Sequence, residues 1–293
     1  MLDTNPERAA TEEPLAIICG GGSLPFAVAD AVHRRGRRVV LFPIRGFGDV
    51  AAVEPYPHHW IALGQVGRFC KLARAEGCRD VVLVGGLVRP PITQVRFDWG
   101  SLAHLAHIIR SFHGGDDHLL TGVGRIFEIE GFRLLGAHEV APDIAAPLGA
   151  VGRHRPDGDA ERDIDLGFSL LAATSPFDIG QAAVVARARV LAVEAAEGTD
   201  AMLERIGTLR EIGRIGLPRG VGVLVKAPKR RQDRRYDLPS IGPNTLAKAA
   251  QAGLAGVAVV AGATIMAEPQ RLVDAADRGG LFVVGRPERE AGL

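Results

Sequence analysis

The chain has 293 residues, a formal net charge of +1, 47% hydrophobic residues and 24% charged ones. That length fits two domains better than one, and the composition is ordinary for a soluble globular protein. The near-neutral balance argues against a general nucleic-acid binder, and no apolar run approaches the ~20 residues needed to span a bilayer.

Residues 1–13 are polar and acidic, lack the apolar core of a signal peptide and read as a mobile tail. Leu15–Cys19 is a short buried strand. Gly20-Gly21-Gly22-Ser23 turns it into a helix with Pro25 near its start. Further strands are expected at Arg38–Phe42, His59–Leu63 and Val81–Val84, with a helix over Val66–Glu76. Strand and helix alternating at this spacing give a parallel sheet covered by helices on both faces. An apolar-striped helix is expected over Asp98–Phe112. Another opens at Gly114-Gly-Asp-Asp-His118, and Phe132–Ala137 reads as a strand. Residues 137–163, with Pro142, Pro147 and Pro156 and little periodicity, read as a linker.

Beyond it come a helix (Asp165–Ala173), a loop (Phe177–Gln181) and a hairpin made of Ala183–Ala186 and Arg189–Val193. A helix from Asp200 follows, then a strand at Val221–Val225 and a long charged loop. A helix (Pro243–Ala252), a strand (Gly256–Val260), a helix (Gln270–Arg278) and a strand (Leu281–Val284) complete the chain. The fold class is therefore α/β. A Rossmann-like parallel-sheet domain occupies 14–136 and a second α/β domain occupies 164–293, with the ligand cleft expected between them.

The glycine turn suits a phosphate held by backbone N–H groups at a helix N-terminus, which makes Gly21, Gly22, Ser23 and Leu24 candidate ligand contacts. Gly85-Gly86, followed by Arg89, is a similar turn at the same sheet edge. This is not the dinucleotide motif, because Pro25 stands where the third glycine belongs and the second strand runs on as Leu41-Phe-Pro-Ile-Arg45 without an acidic residue. All nine histidines fall at or before His154, so the second half holds no histidine metal site. His104-x-x-His107 has no HExxH around it. Asp116-Asp117-His118 resembles the opening of a two-metal phosphoesterase site, but the later words of that site are absent. Cys19, Cys70 and Cys78 form no CxxC pair, which fits a reducing compartment. Neither GxSxG nor a Walker loop occurs. Glu194, Glu197, Thr199 and Asp200 cluster after a strand. Hard carboxylates of this kind suit Mg²⁺ or sugar hydroxyls, and plain helix capping accounts equally well for Thr199 and Asp200.

The charged loop follows the Val221–Val225 strand. Lys226, Lys229, Arg230, Arg231, Arg234 and Arg235 surround only two carboxylates, Asp233 and Asp237. Such a loop suits phosphate, because phosphoryl transfer is mostly positioning and charge stabilisation. A carboxylate among cations suits Mg²⁺ binding or the orientation of water. A solvated charge run is the competing reading. The words Lys226-Ala-Pro-Lys229, Gln232-Asp233-Arg234-Arg235 and Asp237-Leu-Pro-x-Ile-Gly242 resemble the signature loop of the UDP-2,3-diacylglucosamine pyrophosphatases of the LpxI kind. Gly20-Gly-Gly-Ser-Leu-Pro25, Gly136-Ala-His-Glu139, Phe177-Asp-Ile-Gly-Gln181 and Val193-Glu-Ala-Ala-Glu-Gly-Thr-Asp200 agree with it. The resemblance runs from about Leu15 to Gly285. Residues 1–13 precede the family's usual start, and Arg230-Arg231 stands where a proline-containing pair is expected.

The resemblance implies Mg²⁺-dependent hydrolysis of UDP-2,3-diacylglucosamine to UMP and 2,3-diacylglucosamine 1-phosphate (lipid X), in lipid A biosynthesis. Asp233, Lys226 and Arg234 are then the candidate catalytic residues. Asp233, Asp200 and Glu197 are the candidate metal ligands. Asp178, Gln181, Glu197, Thr199, Asp200, Lys229, Arg235 and Asp237 join Gly86, Arg89 and the glycine turn as candidate substrate contacts. A non-catalytic nucleotide-sugar sensor, or a nucleotidyl- or glycosyltransferase, would use the same residues. The expected place of action is the cytoplasm, peripherally on the inner face of the inner membrane. No nucleic acid is expected as a partner, and a homodimer is compatible with the sequence.

Overall fold

Leu15–Cys19, five apolar residues in a row, forms β1 and is buried along its whole length. The computed structural model describes residues 13–87, 98–102, 116–229, 233–236 and 238–288, those at 102 and 116–120 by backbone alone. The chain divides into two compact units, Met1–Asp143 with Asp233–Asp237 and Ile144–Gln232 with Leu238–Leu293.

In the first unit β1 lies between β2 (Val39–Pro43) and β3 (Asp80–Val84), parallel to both, and β4 (Arg133–Leu134) pairs with the far side of β3. Unbroken Val, Ile and Leu runs are what a parallel sheet buried on both faces requires. Helix α1 (Leu24–Arg34) packs on β1 and β2 through Val28, Ala29 and Val32. The short α2 (Val50–Val53), α3 (Val66–Ala75), the short α4 (Trp99–Leu102), α5 (Asp116–Ile129) and α6 (Ala137–Val140) follow in order. Phe69 of α3 is the hub of one core cluster, its ring 4.8 Å from those of both Phe42 and Phe127. Asp80, 2% exposed at the start of β3, accepts from Arg37 at 2.6 Å and from Arg133 at 2.7 Å. Burial pushes its carboxyl up, but the two guanidinium groups more than offset this and hold it below the usual range.

The strand order β2-β1-β3-β4 has one reversal. The chain steps from β1 out to β2, then returns to add β3 on the other side. Ligands of open parallel sheets bind outside the carboxyl ends of the strands at such a reversal, here β1 and β3.

The second unit runs β5 (Gly149–Val151), α7 (Gly158–Thr174), β6 (Ala182–Ala186), β7 (Arg189–Val193), α8 (Gly198–Glu211), β8 (Val223–Lys226), β9 (Ser240–Ile241), α9 (Pro243–Gln251), β10 (Gly256–Val260), β11 (Ile265–Met266), α10 (Pro269–Gly279) and β12 (Phe282–Arg286). Its sheet is ordered β5-β12-β10-β8-β6-β7, with a parallel centre of β8, β10 and β12 and antiparallel flanks. Period-two alternation sorts the side chains. Leu224, Val257, Val259 and Val283 pack with Met202, Ile206, Leu246 and Leu272 of α8, α9 and α10. Val223, Val225, Ala258 and Val284 pack with Ile164, Phe168 and Leu171 of α7.

Several elements depart from the sequence reading. His59–Leu63 is not a strand. It runs beside β2 through isolated parallel bridges, Leu41↔His58 and Ile44↔Ile61. Pro43 lies between them and has no N–H for a continuous ladder. The stretch read as a linker, 137–163, contains α6, β5 and the first turn of α7. Helix α7 starts at Gly158 rather than Asp165, because the Asp157 side chain caps it by accepting from the Ala160 N–H at 2.8 Å. Of the helix expected over Asp98–Phe112, Trp99–Leu102 is described and 103–112 lie outside the described residues, as do 1–12 of the expected tail.

Candidate functional site

In the second unit the candidate residues gather around the end of β8. Lys226 is the last residue of that strand, hydrogen-bonded on both sides in the sheet, and only 8% exposed. A buried ammonium must be hydrogen-bonded. Its Nζ donates to the Thr199 hydroxyl and to the Ser240 carbonyl, each at 3.0 Å. Thr199, in the first turn of α8, passes the polarisation on by donating to Glu194 Oε1 at 2.9 Å. Glu194 Oε2 accepts from the Gln181 backbone N–H at 2.8 Å. One chain of bonds therefore joins the 177–181 loop, the end of β7, the start of α8 and the end of β8. Close by in sequence, Lys229 Nζ meets Asp178 Oδ1 at 2.5 Å. Asp178 adopts a left-handed backbone (φ 56°) that ends a 3₁₀ turn.

The other two acidic candidates of this unit point elsewhere. Glu197 accepts from the Ala195 N–H at 3.1 Å and from Arg205 at 2.8 Å. Its own and Ala195's backbone N–H groups, with Arg205 beside it, hold its carboxyl below the usual range. Asp200 Oδ2 accepts from Asn244 Nδ2 at 2.7 Å and lies 3.6 Å from Lys248 Nζ. Among the described residues no three His, Cys, Asp or Glu side chains group so as to hold a metal ion.

In the first unit the two glycine turns meet at the sheet reversal. Gly21 and Gly86 exchange both backbone hydrogen bonds, at 2.7 and 2.9 Å. A Cβ on Gly20 would stand 2.7 Å from the carbonyl oxygens of both Gly85 and Gly86, so only glycine permits this approach. The N–H groups of Gly21 and Gly86 are thus occupied by each other. At this edge α1 begins at Leu24 with no side-chain cap, so the N–H groups of Gly22, Ser23 and Leu24 are the ones that could meet an anion.

The same unit includes the tip of the charged loop. Asp233 Oδ1 accepts from the Arg235 backbone N–H and from Arg235 Nε, both at 3.0 Å, and its Oδ2 accepts from Nη2 at 2.8 Å. Arg235 holds the Asp233 carboxyl below the usual range and so keeps it ionised at neutral pH. Arg235 in turn donates through Nη1 to Glu128 Oε1 of α5 at 2.7 Å. Arg235 engages both oxygens of Asp233, and the carboxylate remains 30% exposed, so its other lone pairs are open to water or a cation.

Arg89, Asp237, Arg230 and Arg231 lie outside the described residues, and so do His104 and His107. Arg234 belongs to the same loop tip as Asp233 and Arg235. Ser240, Asn244, Glu128 and Tyr236 also hold candidate side chains and are absent from the candidates expected from sequence. None carries a local signal, because each acts through a partner distant in the chain. Glu194 stood in the acidic cluster, but nothing local distinguished it from Glu197.

Comparison with known proteins gives two matching family models and a curated relative. A model described as the LpxI N-terminal domain matches residues 14–144, and one described as the LpxI C-terminal domain matches residues 147–284. A protein of Caulobacter vibrioides named UDP-2,3-diacylglucosamine pyrophosphatase LpxI is 41% identical over 276 residues, which cover 94% of this chain and 98% of that one.

Proposed function

Because the chain belongs to the LpxI family, we propose that it hydrolyses the pyrophosphate bond of UDP-2,3-diacylglucosamine in lipid A biosynthesis, giving UMP and 2,3-diacylglucosamine 1-phosphate (lipid X). One observation carries the reading: 41% identity along 94% of the chain to a relative named for that activity. In the reaction a water oxygen adds to one phosphorus, the bridging P–O bond breaks, and a proton is released to solvent. Lys226 and Lys229 bring positive charge to the non-bridging oxygens, where it grows in value as the transition state forms. Gly22, Ser23 and Leu24 offer backbone N–H groups to a phosphate or sugar. Asp233 orients the attacking water. It is a weak general base, because Arg235 lowers its basicity.

The proposal extends to Mg²⁺. The donors available are hard carboxylate oxygens, and Mg²⁺ commonly takes one or two of these, completing its shell with water and substrate phosphate. Asp233, Asp200 and Glu197 are the proposed protein ligands, and the cation would be carried largely by the substrate. When bound, Mg²⁺ neutralises charge on the phosphate oxygens. Asp178, Gln181, Thr199 and Arg235 complete the proposed substrate contacts. The acyl chains call for action at the cytoplasmic surface of the inner membrane. Among the described residues no helix is long and apolar enough to cross a membrane, so the proposed attachment is peripheral.

The test is direct. Purified protein is incubated with UDP-2,3-diacylglucosamine and Mg²⁺ in ¹⁸O-labelled water. UMP and lipid X should appear in equal amounts, one of them carrying the label. Unconsumed substrate with either Mg²⁺ or Mn²⁺ overturns the reading, and products without label point to transfer to another acceptor.

A further inference from the structure

Helix α5 has a glycine, Gly124, at an interior position where alanine would favour the helix. The neighbourhood explains it. A Cβ on Gly124 would stand 2.2 Å from Tyr236 Oη and 2.3 Å from Tyr236 Cε1. The Tyr236 ring therefore lies directly on the helix backbone. It is 9% exposed and belongs to the core cluster of Phe69, Ile126 and Phe127. One turn further along the same face is Glu128, which takes Arg235 Nη1 at 2.7 Å. Gly136 supplies a third point, since a Cβ there would come 3.2 Å from the Arg234 carbonyl oxygen. Three consecutive residues of the loop tip thus each meet a separate position of the first unit.

We propose that Gly124 and Glu128 form a seat that positions Asp233 for the hydrolysis. The inference rests on the hydrolase reading above. A guanidinium is a rigid plane, so Glu128 on Nη1 fixes the direction of Nε and Nη2, which hold the Asp233 carboxylate. Tyr236 locks the backbone of the same turn, whose Tyr236 N–H also bonds the Asp233 carbonyl at 3.0 Å. Neither Gly124 nor Glu128 touches reacting atoms in this scheme. They are positioning residues, and displacement of a catalytic group by about 1 Å costs on the order of 10²-fold in rate.

The experiment uses the full chain and its Glu128→Gln, Glu128→Asp, Gly124→Ala, Tyr236→Leu and Gly124→Ala/Tyr236→Leu variants. Steady-state kinetics are read beside thermal melting and deuterium exchange of the 233–236 segment. Glu128→Gln should lower kcat about 10- to 100-fold with KM held within about 3-fold, and Glu128→Asp should recover part of the loss. Gly124→Ala should lower kcat by a similar factor, although alanine favours a helix. In the Tyr236→Leu background, which frees the space, Gly124→Ala should change kcat less than about 2-fold. Exchange of the segment should quicken in Glu128→Gln and in Gly124→Ala. If exchange stays at the wild-type rate, or quickens while kcat stays within about 3-fold, the seat is overturned. The same holds if the Gly124→Ala loss is equally large without the tyrosine ring. Wild-type turnover judges the hydrolase reading separately. Should it fail, unchanged exchange still rejects the seat, and quickened exchange retains the seat while its catalytic purpose falls.

Discussion

Replacing Asp233 with alanine separates a catalytic role from a structural one. In the structure its carboxylate is 30% exposed and its partner Arg235 is 37% exposed. Ion pairs this accessible contribute about 0.2–1 kcal/mol after screening. Loss of the bond from the Arg235 N–H adds about 0.5–1.5 kcal/mol, reduced because water reaches the site. Arg235 keeps Glu128, so no cation is stranded. The expected destabilisation is about 1–2 kcal/mol, which is a fall in Tm of roughly 2–8 °C for a unit of this size. Affinity for the anionic substrate should hold or improve, since a negative charge is removed. Turnover should fall about 10³-fold, the loss typical of removing one key electrostatic group. The assay is UMP release under saturating substrate, beside a melting curve of the same preparation. A variant within about 10-fold of the wild-type kcat refutes the role. Asp233 would then be only the partner of Arg235, and water orientation would pass to Asp200 or Glu197.

Asp163 is 2% exposed and accepts from the Arg187 and Ala188 N–H groups at 2.9 and 2.7 Å, so Asp163→Ala should destabilise by about 2–4 kcal/mol in urea unfolding; a loss below about 0.5 kcal/mol would remove that account. Asp80 has a folded carboxyl pKa below its unfolded value of about 3.9, so its stabilisation is complete above that pH and is lost as pH falls through the depressed folded value. Asp80→Asn should therefore be less stable than wild type at neutral pH and converge with it under strong acid, and parallel stability curves would contradict this. Dialysis against excess EDTA should abolish turnover and added Mg²⁺ should restore it; full activity without metal removes the Mg²⁺ proposal. Anionic liposomes should float part of the protein at low salt and release it at high salt, through Lys and Arg contacts with the lipid. Protein left wholly at the bottom counts against membrane attachment.

The strands legible in the sequence are those whose signal is local. Leu15–Cys19, Val81–Val84 and Gly256–Val260 are apolar runs bounded by glycine or charge, and all are central in their sheets. Elements that depend on remote partners stayed hidden. Strand β5 is three residues long and exists because β12 pairs with it. The β6–β7 hairpin is expected from its two apolar runs, but what stabilises its turn is not local: the turn contains no glycine, yet Arg187 and Ala188 both have positive φ, 49° and 56°. Such a turn normally asks for Asn-Gly. Here the Asp163 carboxylate, 24 positions earlier than Arg187, supplies what the turn residues lack.

The candidate site follows the same rule. The chemistry of the charged loop is plain from its cations, but its destination is not. Tyr236 stands between Arg235 and Asp237 and reads as part of a solvated run. Its burial is decided by a glycine in α5, near the residue 107 positions away that pairs with Arg235. Glu194 and Glu197 show the limit most clearly. They are three residues apart, of one type, and equally plausible as ligands by spacing. Glu194 immediately follows β7, and Thr199 and Gln181 take its two oxygens, so it supports the buried Lys226 through Thr199. Glu197 precedes the first turn of α8, where Arg205, two turns along, draws it away. An ammonium buried at the end of β8 needs a counter-charge within its hydrogen-bonded chain. That requirement, and not the local sequence, distinguishes the two glutamates.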